Sequence, residues 1–266
     1  MTRTLQLERC IVMFSGGAAS AVSAKMAVDE FGKDNVVLLF ADTLIEDADL
    51  YRFNDDVAEW LGIPITRVAD GRTPWEVFFS ERMMGSSRVD HCSRILKRDI
   101  LDLWMEENAN PETDAIFIGM DATESHRLAG VQGRLAPFVV RSPLDEAGLW
   151  KESVFNILRD AGLRIPRLYE MGFPHNNCGG FCVKAGQGHF KMLLEKLPDL
   201  YAEHEAKEEA FRRISKKDVS ILRDRTGGKV SPLTMKEFRR RVEDEPQTLD
   251  LLEWGGCNCM TPPEVE

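Results

Sequence analysis

The 266-residue chain lacks long hydrophobic runs and a recognisable secretory leader. Its longest uninterrupted apolar run, residues 36–41, spans six residues, whereas a membrane-spanning helix needs about 20. The N-terminal sequence MTRTLQLERC leads into an apolar segment without a charged-then-apolar leader. We therefore expect a cytoplasmic protein with no membrane partner.

An excess of basic residues is also lacking, because 34 Lys and Arg stand against 44 Asp and Glu, giving a net charge of −10. This balance argues against a general nucleic-acid-coating protein. Residues 207–241 are the exception, with twelve basic and five acidic residues. Acidic residues flank that stretch, so we interpret it as a solvated helical face, and contact with RNA or DNA stays open.

Cysteine is sparse, with six residues, and without a leader these are better explained by metal or redox chemistry than by structural disulfides. Cys10 lies in a predicted strand and is interpreted as a small buried hydrophobe. The other five form a candidate constellation with Cys-x₃-Cys and Cys-x-Cys spacings: Cys92, Cys178, Cys182, Cys257 and Cys259. Four thiolates can hold an iron-sulfur cluster or a structural zinc, and unliganded thiols are the third reading.

The first 140 or so residues alternate short apolar runs with amphipathic stretches of helical length, which is typical of βα units around a parallel sheet. The predicted strands are residues 10–14, 36–41, 65–69 and 115–119. The predicted helices between them are residues 18–31, 47–61, 75–83 and 93–107. We therefore predict an α/β fold with a doubly wound, mostly parallel sheet of the Rossmann type.

The character of the chain changes after Pro143. A helix is predicted around residues 149–161, followed by a Gly- and Cys-rich stretch at 172–188 and by helical segments to about residue 243. We expect residues 1–145 to form a nucleotide-binding α/β domain. Residues 146–266 would form a mainly helical, cysteine-containing C-terminal appendage.

The sequence SGGAAS at residues 15–20 stands where the first strand hands over to the first helix. Glycines let backbone N–H groups approach an anion, hydroxyl groups add donors, and the helix dipole favours negative charge at its start. The lysine of a Walker loop is absent. The position therefore predicts a phosphate-binding loop of a different kind.

This loop resembles the SGGxDS loop of the PP-loop ATP pyrophosphatase superfamily, whose fold is adenine nucleotide alpha hydrolase-like. Further segments, spread over about residues 8–190, are similar to the phosphoadenosine phosphosulfate reductase branch: residues 40–46 (FADTLIE), 91–97 (HCSRILK), 118–127 (IGMDATESHR) and 177–182 (NCGGFC). Three positions depart from that pattern. Ala19 replaces the usual loop Asp, Leu44 replaces Gly, and Met120 replaces Arg.

The resemblance implies a division of roles among the matched residues. Phosphates of ATP or a related adenylyl nucleotide, accompanied by Mg²⁺, would be held by Ser15, Gly16, Gly17, Ala18 and Ser20. Base and ribose would be lined by Asp42, Thr43 and Glu46. Lys97 and Arg127 would act as catalytic cations against phosphate or sulfate oxygens, as donors that stabilise charge developing in the transition state.

The resemblance also favours iron and sulfur over zinc, with Cys92, Cys178 and Cys182 as cluster ligands and Cys257 or Cys259 as the fourth. Alternatively, the two tail cysteines would act as attacking thiols, as in the family's reductases, although the family's Glu-Cys-Gly-x-His tail signature is absent. His175 and His189 flank the cysteines and are interpreted as structural.

Three functions follow as hypotheses. The first is an enzyme that adenylates a nucleic-acid or small-molecule acceptor with release of pyrophosphate and transfers sulfur, with a sulfur donor protein as partner. The second is a phosphoadenosine or adenosine phosphosulfate reductase that forms sulfite and uses a thiol reductant. The third, prompted by Ala19, is a catalytically silent nucleotide-sensing or interaction protein.

Overall fold

The computed structural model describes residues 6–225 and 230–244. Its centre is a five-stranded sheet made of β1 (Arg9–Met13), β2 (Val36–Ala41), β3 (Ile65–Val68), β4 (Asp114–Ile118) and β5 (Val139–Arg141). The strand order is β3-β2-β1-β4-β5, and every neighbouring pair is parallel. The chain winds outward from β1 to β3 and then returns to β4 on the other side of β1. The predicted doubly wound α/β fold is confirmed.

The helices of the first half are α1 (Ala18–Phe31), α2 (Ala48–Leu61), α3 (Pro74–Glu81), α4 (His91–Ser93) and α5 (Asp99–Asn108). Their ends follow local chemistry. The Asp47 carboxylate accepts the backbone N–H of Asp49 at 2.9 Å and caps α2, which ends at Gly62 in a left-handed conformation. Thr73 and Glu76 form a reciprocal capping box at the start of α3.

The predicted helix at residues 93–107 is interrupted. Residues Arg94–Arg98 form a π-helical stretch between α4 and α5. Leu96, Lys97 and Arg98 are all buried there, whereas three consecutive residues of an α-helix point in different directions. The wider turn lets Lys97 point inward, and such π-turns are frequent at functional sites.

Both faces of the central strands are covered, which explains why β1, β2 and β4 read as continuous apolar runs. In β1, Cys10 and Val12 pack in a cluster with residues of α1, α2 and α8 (Lys151–Asp160), while Ile11 and Met13 pack on the opposite face with α5. Cys10 is fully buried, and burial raises the pKa of its thiol. Its interpretation as a small core hydrophobe agrees with this position.

The chain after β4 is mainly helical, as predicted, but it also contains short strands that the sequence pattern did not indicate. Besides β5, these are β6 (Leu222–Asp224) and β7 (Ser231–Leu233), an antiparallel pair. The remaining helices are α6 (Leu128–Arg134), α7 (Pro143–Glu146), α9 (Arg167–Glu170), α10 (Gln187–Lys196), α11 (Pro198–Ser215) and α12 (Met235–Asp244).

A second hydrophobic cluster holds the C-terminal elements together. It contains Phe181 and Tyr201, and also Trp75 and Phe78 of α3. The indole N–H of Trp75 donates to Nδ1 of His204 at 2.8 Å, so α3 and α11 are tied by a buried hydrogen bond. The division of the chain at residue 145 stays a prediction.

Several basic residues of the stretch at 207–241 form ion pairs with acidic residues. Arg239 contacts Glu205 and Glu243, and Arg241 contacts Glu237 and Asp224. Such ion pairs are typical of a solvated surface, but β6 and β7 also lie in this stretch, so it is not the single helical face that the sequence predicted. Within residues 6–225 and 230–244, no helix combines the length and the apolar character that crossing a membrane requires.

Candidate functional site

A cleft of about 390 Å³ opens at the carboxyl edge of the sheet. Residues that follow β1 and β4 line it, including Ser15, Gly17, Gly119 and Asp121. The strand order reverses between β1 and β4, and ligands of open α/β sheets bind outside the strand ends at such a switch point. We call this the β1–β4 cleft.

The loop between β1 and α1 is held in a fixed shape. Gly16 has a φ of +74°, and a Cβ atom there would lie 2.8 Å from Leu50 and 3.0 Å from Asn54 Oδ1. Ser20 folds back onto the loop, since its Oγ donates to the Gly17 carbonyl at 2.8 Å and accepts the Gly17 N–H at 3.2 Å. Only glycine fits at position 16 in this arrangement.

The end of β4 packs directly on the start of α1. A Cβ atom on Gly119 would lie 2.6 Å from the backbone nitrogen of Ser20 and 2.7 Å from its Cα. These distances leave no room for any side chain. The glycine after β4 therefore brings the two strand ends close enough to form one wall of the cleft.

The N-terminus of α1 lies at the cleft, since Gly17, Ala18 and Ala19 line it. The helix has 14 residues, Gly17 is its N-cap, and its first turn contains no acidic residue. Because Ala19 carries no charge, the positive end of the helix dipole stays available for an anionic ligand.

Three cations line the cleft. Lys97 and Arg127 are the two that the sequence singled out, and Lys151 at the start of α8 is the third. Lys97 Nζ lies 3.6 Å from Glu46 Oε1, and Arg127 is paired with Glu124. The Arg127 Nε–H has no acceptor among the described residues. Arg127 thus retains a donor for an anion.

Lys151 was missed by sequence reasoning, since a lysine near the start of an amphipathic helix carries no signal of its own. Its ammonium donates to the Pro174 carbonyl at 2.7 Å and lies 5.1 Å from the ring centre of Tyr169 and 5.7 Å from that of Phe155. Burial lowers the pKa of Lys151, while Asp121 and Glu124 act in the opposite direction.

The residues expected to line base and ribose are not among the lining residues of the cleft. Asp42 is fully buried, accepts the Tyr51 hydroxyl at 2.9 Å and pairs with Arg67. Thr43 donates to Glu46 Oε1 at 2.9 Å. Burial raises the pKa of Glu46 although Lys97 opposes this. Their role as nucleotide ligands stays a prediction.

The segment 176–182, called here the cysteine segment, packs against the loop of residues 15–20 and against the loop of residues 42–46 after β2. Asn176 donates its amide N–H to the Gly16 carbonyl at 3.0 Å, and the backbone N–H of Cys178 donates to Glu46 Oε2. A Cβ on Gly179 would lie 2.7 Å from the carbonyl oxygen of Ile45. These contacts join residues far apart in the sequence, so the sequence alone gave no sign of them.

The three described candidate ligands of a cluster differ in their surroundings. Cys92 and Cys182 belong to the second hydrophobic cluster, and Cys182 is buried. Each of these two cysteines has a charged residue with a buried side chain two positions away, Asp90 for Cys92 and Lys184 for Cys182. Asp90 lies 3.6 Å from Lys184 and 2.8 Å from Arg98. Cys178 has a left-handed φ of +54°.

The part of the chain that the structure describes contains no group of three or more His, Cys, Asp or Glu side chains arranged to hold a metal ion. The described residues therefore do not by themselves fit an iron-sulfur cluster, a zinc ion or a protein-bound Mg²⁺. Cys257 and Cys259 lie outside the described residues. The cluster, with zinc as its alternative, stays a prediction.

The two histidines have structural contacts. His189 is fully buried, its Nε2 lies 2.7 Å from the Gly180 carbonyl oxygen, and its ring stacks on His175 with centres 5.0 Å apart. Burial lowers the pKa of His189. A neutral imidazole in this position supports the turn that follows Cys178.

Comparison with known proteins gives one family. A model of the phosphoadenosine phosphosulfate reductase domain matches residues 9–180, which include β1, the loop of residues 15–20, the cleft cations and Cys178. No curated protein matches the chain.

Proposed function

The chain belongs to the phosphoadenosine phosphosulfate reductase domain family, and from this premise we propose that it is an enzyme that binds ATP or a related adenylyl nucleotide in the β1–β4 cleft. One observation carries the proposal. At the switch point of the sheet, the start of α1 shares a cleft with Lys97, Arg127 and Lys151. Helix dipole, loop N–H groups and cations together favour a polyphosphate there.

The proposed first step is adenylation of an acceptor. An acceptor oxygen attacks the α-phosphorus, a new P–O bond forms, and the bond from the α-phosphorus to the bridging oxygen breaks, so that pyrophosphate leaves with the electron pair. Negative charge grows on the departing pyrophosphate and on the non-bridging oxygens. Preorganised donors of the loop and the cations Lys97, Arg127 and Lys151 would stabilise that charge.

The proposed second step transfers sulfur. The outer sulfur of a persulfide on a donor protein attacks the activated acceptor carbon, a C–S bond forms, the C–O bond breaks and AMP leaves. A cysteine thiolate of this chain then attacks the donor's inner sulfur, the S–S bond to the transferred sulfur breaks, and the thiolated acceptor is released as a disulfide forms with the donor. Cys92, Cys178 and Cys182 are the described thiols proposed to take part. The cysteine segment lies against the loops of residues 15–20 and 42–46, and Cys92 packs in the same hydrophobic cluster as Cys182. The acceptor is a nucleic acid or a small molecule.

The first test is nucleotide binding and turnover by anaerobically purified full-length protein. We expect micromolar to millimolar binding of MgATP by calorimetry and pyrophosphate release that depends on an added acceptor. The double variant Lys97→Met/Arg127→Met should lose both. A wild-type protein that binds no adenylyl nucleotide contradicts the proposal.

A second candidate is the reductase reaction named by the family model. An enzyme thiolate would attack the sulfonyl sulfur, an S–S bond would form, and the S–O bond to phosphate would break as the nucleotide leaves. A thiol reductant would then release sulfite and be oxidised to a disulfide. Thioredoxin-dependent sulfite release from an adenylyl sulfate supports this reaction over adenylation.

The third candidate, a silent nucleotide sensor, rests on Ala19, which lines the cleft where the superfamily pattern has a carboxylate. Tight binding without turnover, unchanged in Ala19→Asp, favours it. Iron, acid-labile sulfide and zinc content of the same preparation tests the cluster. Iron and sulfide in cluster proportion support the proposed ligands, and a metal-free active protein excludes them.

A further inference from the structure

The side-chain amide of Asn176 has a hydrogen-bond partner for its nitrogen but none for its oxygen among the described residues. Asn176 is among the residues that line the β1–β4 cleft, and it is 2% exposed. The amide nitrogen donates to the Gly16 carbonyl at 3.0 Å. The amide oxygen, Oδ1, is buried and meets no hydrogen-bond donor within the described part of the chain.

The orientation of this amide follows from its partner. A carbonyl oxygen can only accept a hydrogen bond, so the group facing Gly16 must be the NH₂ of Asn176. Flipping the amide would set two oxygens against each other. Oδ1 is therefore fixed as an acceptor, and buried acceptors in folded proteins nearly always have a donor.

The α- and β-phosphates of a nucleotide cannot supply that donor, because their oxygens are ionised at neutral pH and only accept hydrogen bonds. The nucleoside part of an adenylyl nucleotide can, because both the ribose hydroxyls and the 6-amino group of adenine are donors. We infer that Asn176 is a specificity-determining residue whose Oδ1 accepts a hydrogen bond from the nucleoside part of the bound nucleotide. This inference rests on the proposed function.

The test compares ATP with three analogues that each lack one donor: 2′-deoxy-ATP, 3′-deoxy-ATP and purine riboside triphosphate. Dissociation constants are measured by calorimetry on the full-length protein. For wild type, we expect one analogue to bind about fivefold to tenfold more weakly than ATP, as for loss of one hydrogen bond. In Asn176→Leu, the same analogue and ATP should bind with nearly equal affinity.

Two further variants separate this role from support of the loop. Asn54 is a buried amide whose Oδ1 also lies beside Gly16 but which does not line the cleft, so Asn54→Leu should retain the wild-type analogue ratio. Asn176→Asp keeps an oxygen acceptor and loses the donor to Gly16. It should bind ATP more weakly while retaining the analogue ratio. Thermal unfolding of each variant shows whether it is folded.

Two results overturn the inference while leaving the proposed function intact: wild type that binds ATP and all three analogues equally, or an Asn176→Leu variant that retains the wild-type ratio. Wild type that binds none of the four nucleotides overturns the proposed function, and the inference with it.

Discussion

The carboxylate of Glu46 accepts the backbone N–H of Cys178, 132 positions further along the chain. Its other oxygen lies 3.6 Å from Lys97 Nζ and accepts the Thr43 hydroxyl. One buried carboxylate thus connects the loop after β2, a cation of the cleft and the cysteine segment. Loss of its charge should affect all three.

Replacement of Glu46 by Gln tests this connection. The amide has one oxygen instead of two, so either the Cys178 N–H or Thr43 loses its acceptor in a buried environment. We expect the free energy of unfolding to fall by about 1–3 kcal/mol, measured by urea denaturation. Glu59→Gln, an exposed position on α2, should change it by less than about 0.5 kcal/mol. Equal effects in the two variants contradict the prediction.

Gly119→Ala tests the contact between β4 and α1. The new methyl group would lie 2.6 Å from the Ser20 nitrogen, so the backbone must shift. We expect a loss of about 1–3 kcal/mol in unfolding free energy and weaker ATP binding, because the loop of residues 15–20 moves with it. Both are measured on the same preparation.

Gly133→Ala is the matched control, because nothing lies within 4 Å of a Cβ at that position in α6. Alanine favours the helix, and the free energy of unfolding should rise by about 0.5–1 kcal/mol. The prediction is wrong if Gly119→Ala is as stable as Gly133→Ala.

The buried carboxyl group of Glu208 should make the free energy of unfolding depend on pH. It is fully buried and accepts the N–H groups of Ile221 and Met235 at 2.9 and 2.6 Å. Burial raises its pKa to about 7, against the lowering effect of these hydrogen bonds. Because the folded pKa lies above the unfolded one, its contribution is fully present below the unfolded pKa and is lost as pH rises through about 7.

The measurement is the unfolding free energy of wild type minus that of Glu208→Gln, taken from about pH 4.5 to pH 8. It should fall by roughly 3 kcal/mol over this range, at about 1.4 kcal/mol per pH unit, and then stay constant. Glu209→Gln, at the exposed neighbouring position, should give a difference that does not vary with pH. A flat curve for Glu208→Gln is the contrary result.

Lys151→Met tests the cation that sequence reasoning missed. The charge near the cleft is lost while the aliphatic contact with Phe155 and Tyr169 is kept. We expect ATP to bind about fivefold to tenfold more weakly. Lys33→Met, outside the cleft, is the control and should bind ATP like wild type. An unchanged affinity of Lys151→Met removes this residue from the proposed site.

The four predicted strands of the first half are found within one residue of their expected ends. Strands β1, β2 and β4 are buried on both faces, so their sequences are continuous apolar runs that stand out from their surroundings. The outer strand β3 is only partly buried and contains Thr66 and Arg67. Strand β5 was missed because Val139–Arg141 is only three residues long, and β6 and β7 are as short. Such short segments become strands through hydrogen bonds to a neighbouring strand, and their own residue pattern does not identify them.

Within the site, the loop of residues 15–20, Lys97 and Arg127 were predictable because they sit in recognisable motifs. Lys151 and Asn176 were not, since each enters the cleft through tertiary packing of a later segment. Leu44 departs from the motif in sequence, yet its backbone has the conformation that the motif's glycine favours. It stands where the motif that residues 40–46 resemble has Gly, and the structure gives it a φ of +60°, a conformation that costs a non-glycine residue about 1–2 kcal/mol.

Each of the two outer strands of the sheet carries an arginine that forms ion pairs. Strand β3 carries Arg67, paired with Asp42, and β5 carries Arg141, paired with Glu30 and Glu146. Outer strands leave a row of unpaired backbone groups that can recruit another chain, and short length with fixed charges opposes such recruitment. Both outer strands here have at most four residues. The sheet thus ends in charge at either side, which protects the protein from edge-to-edge aggregation at high concentration.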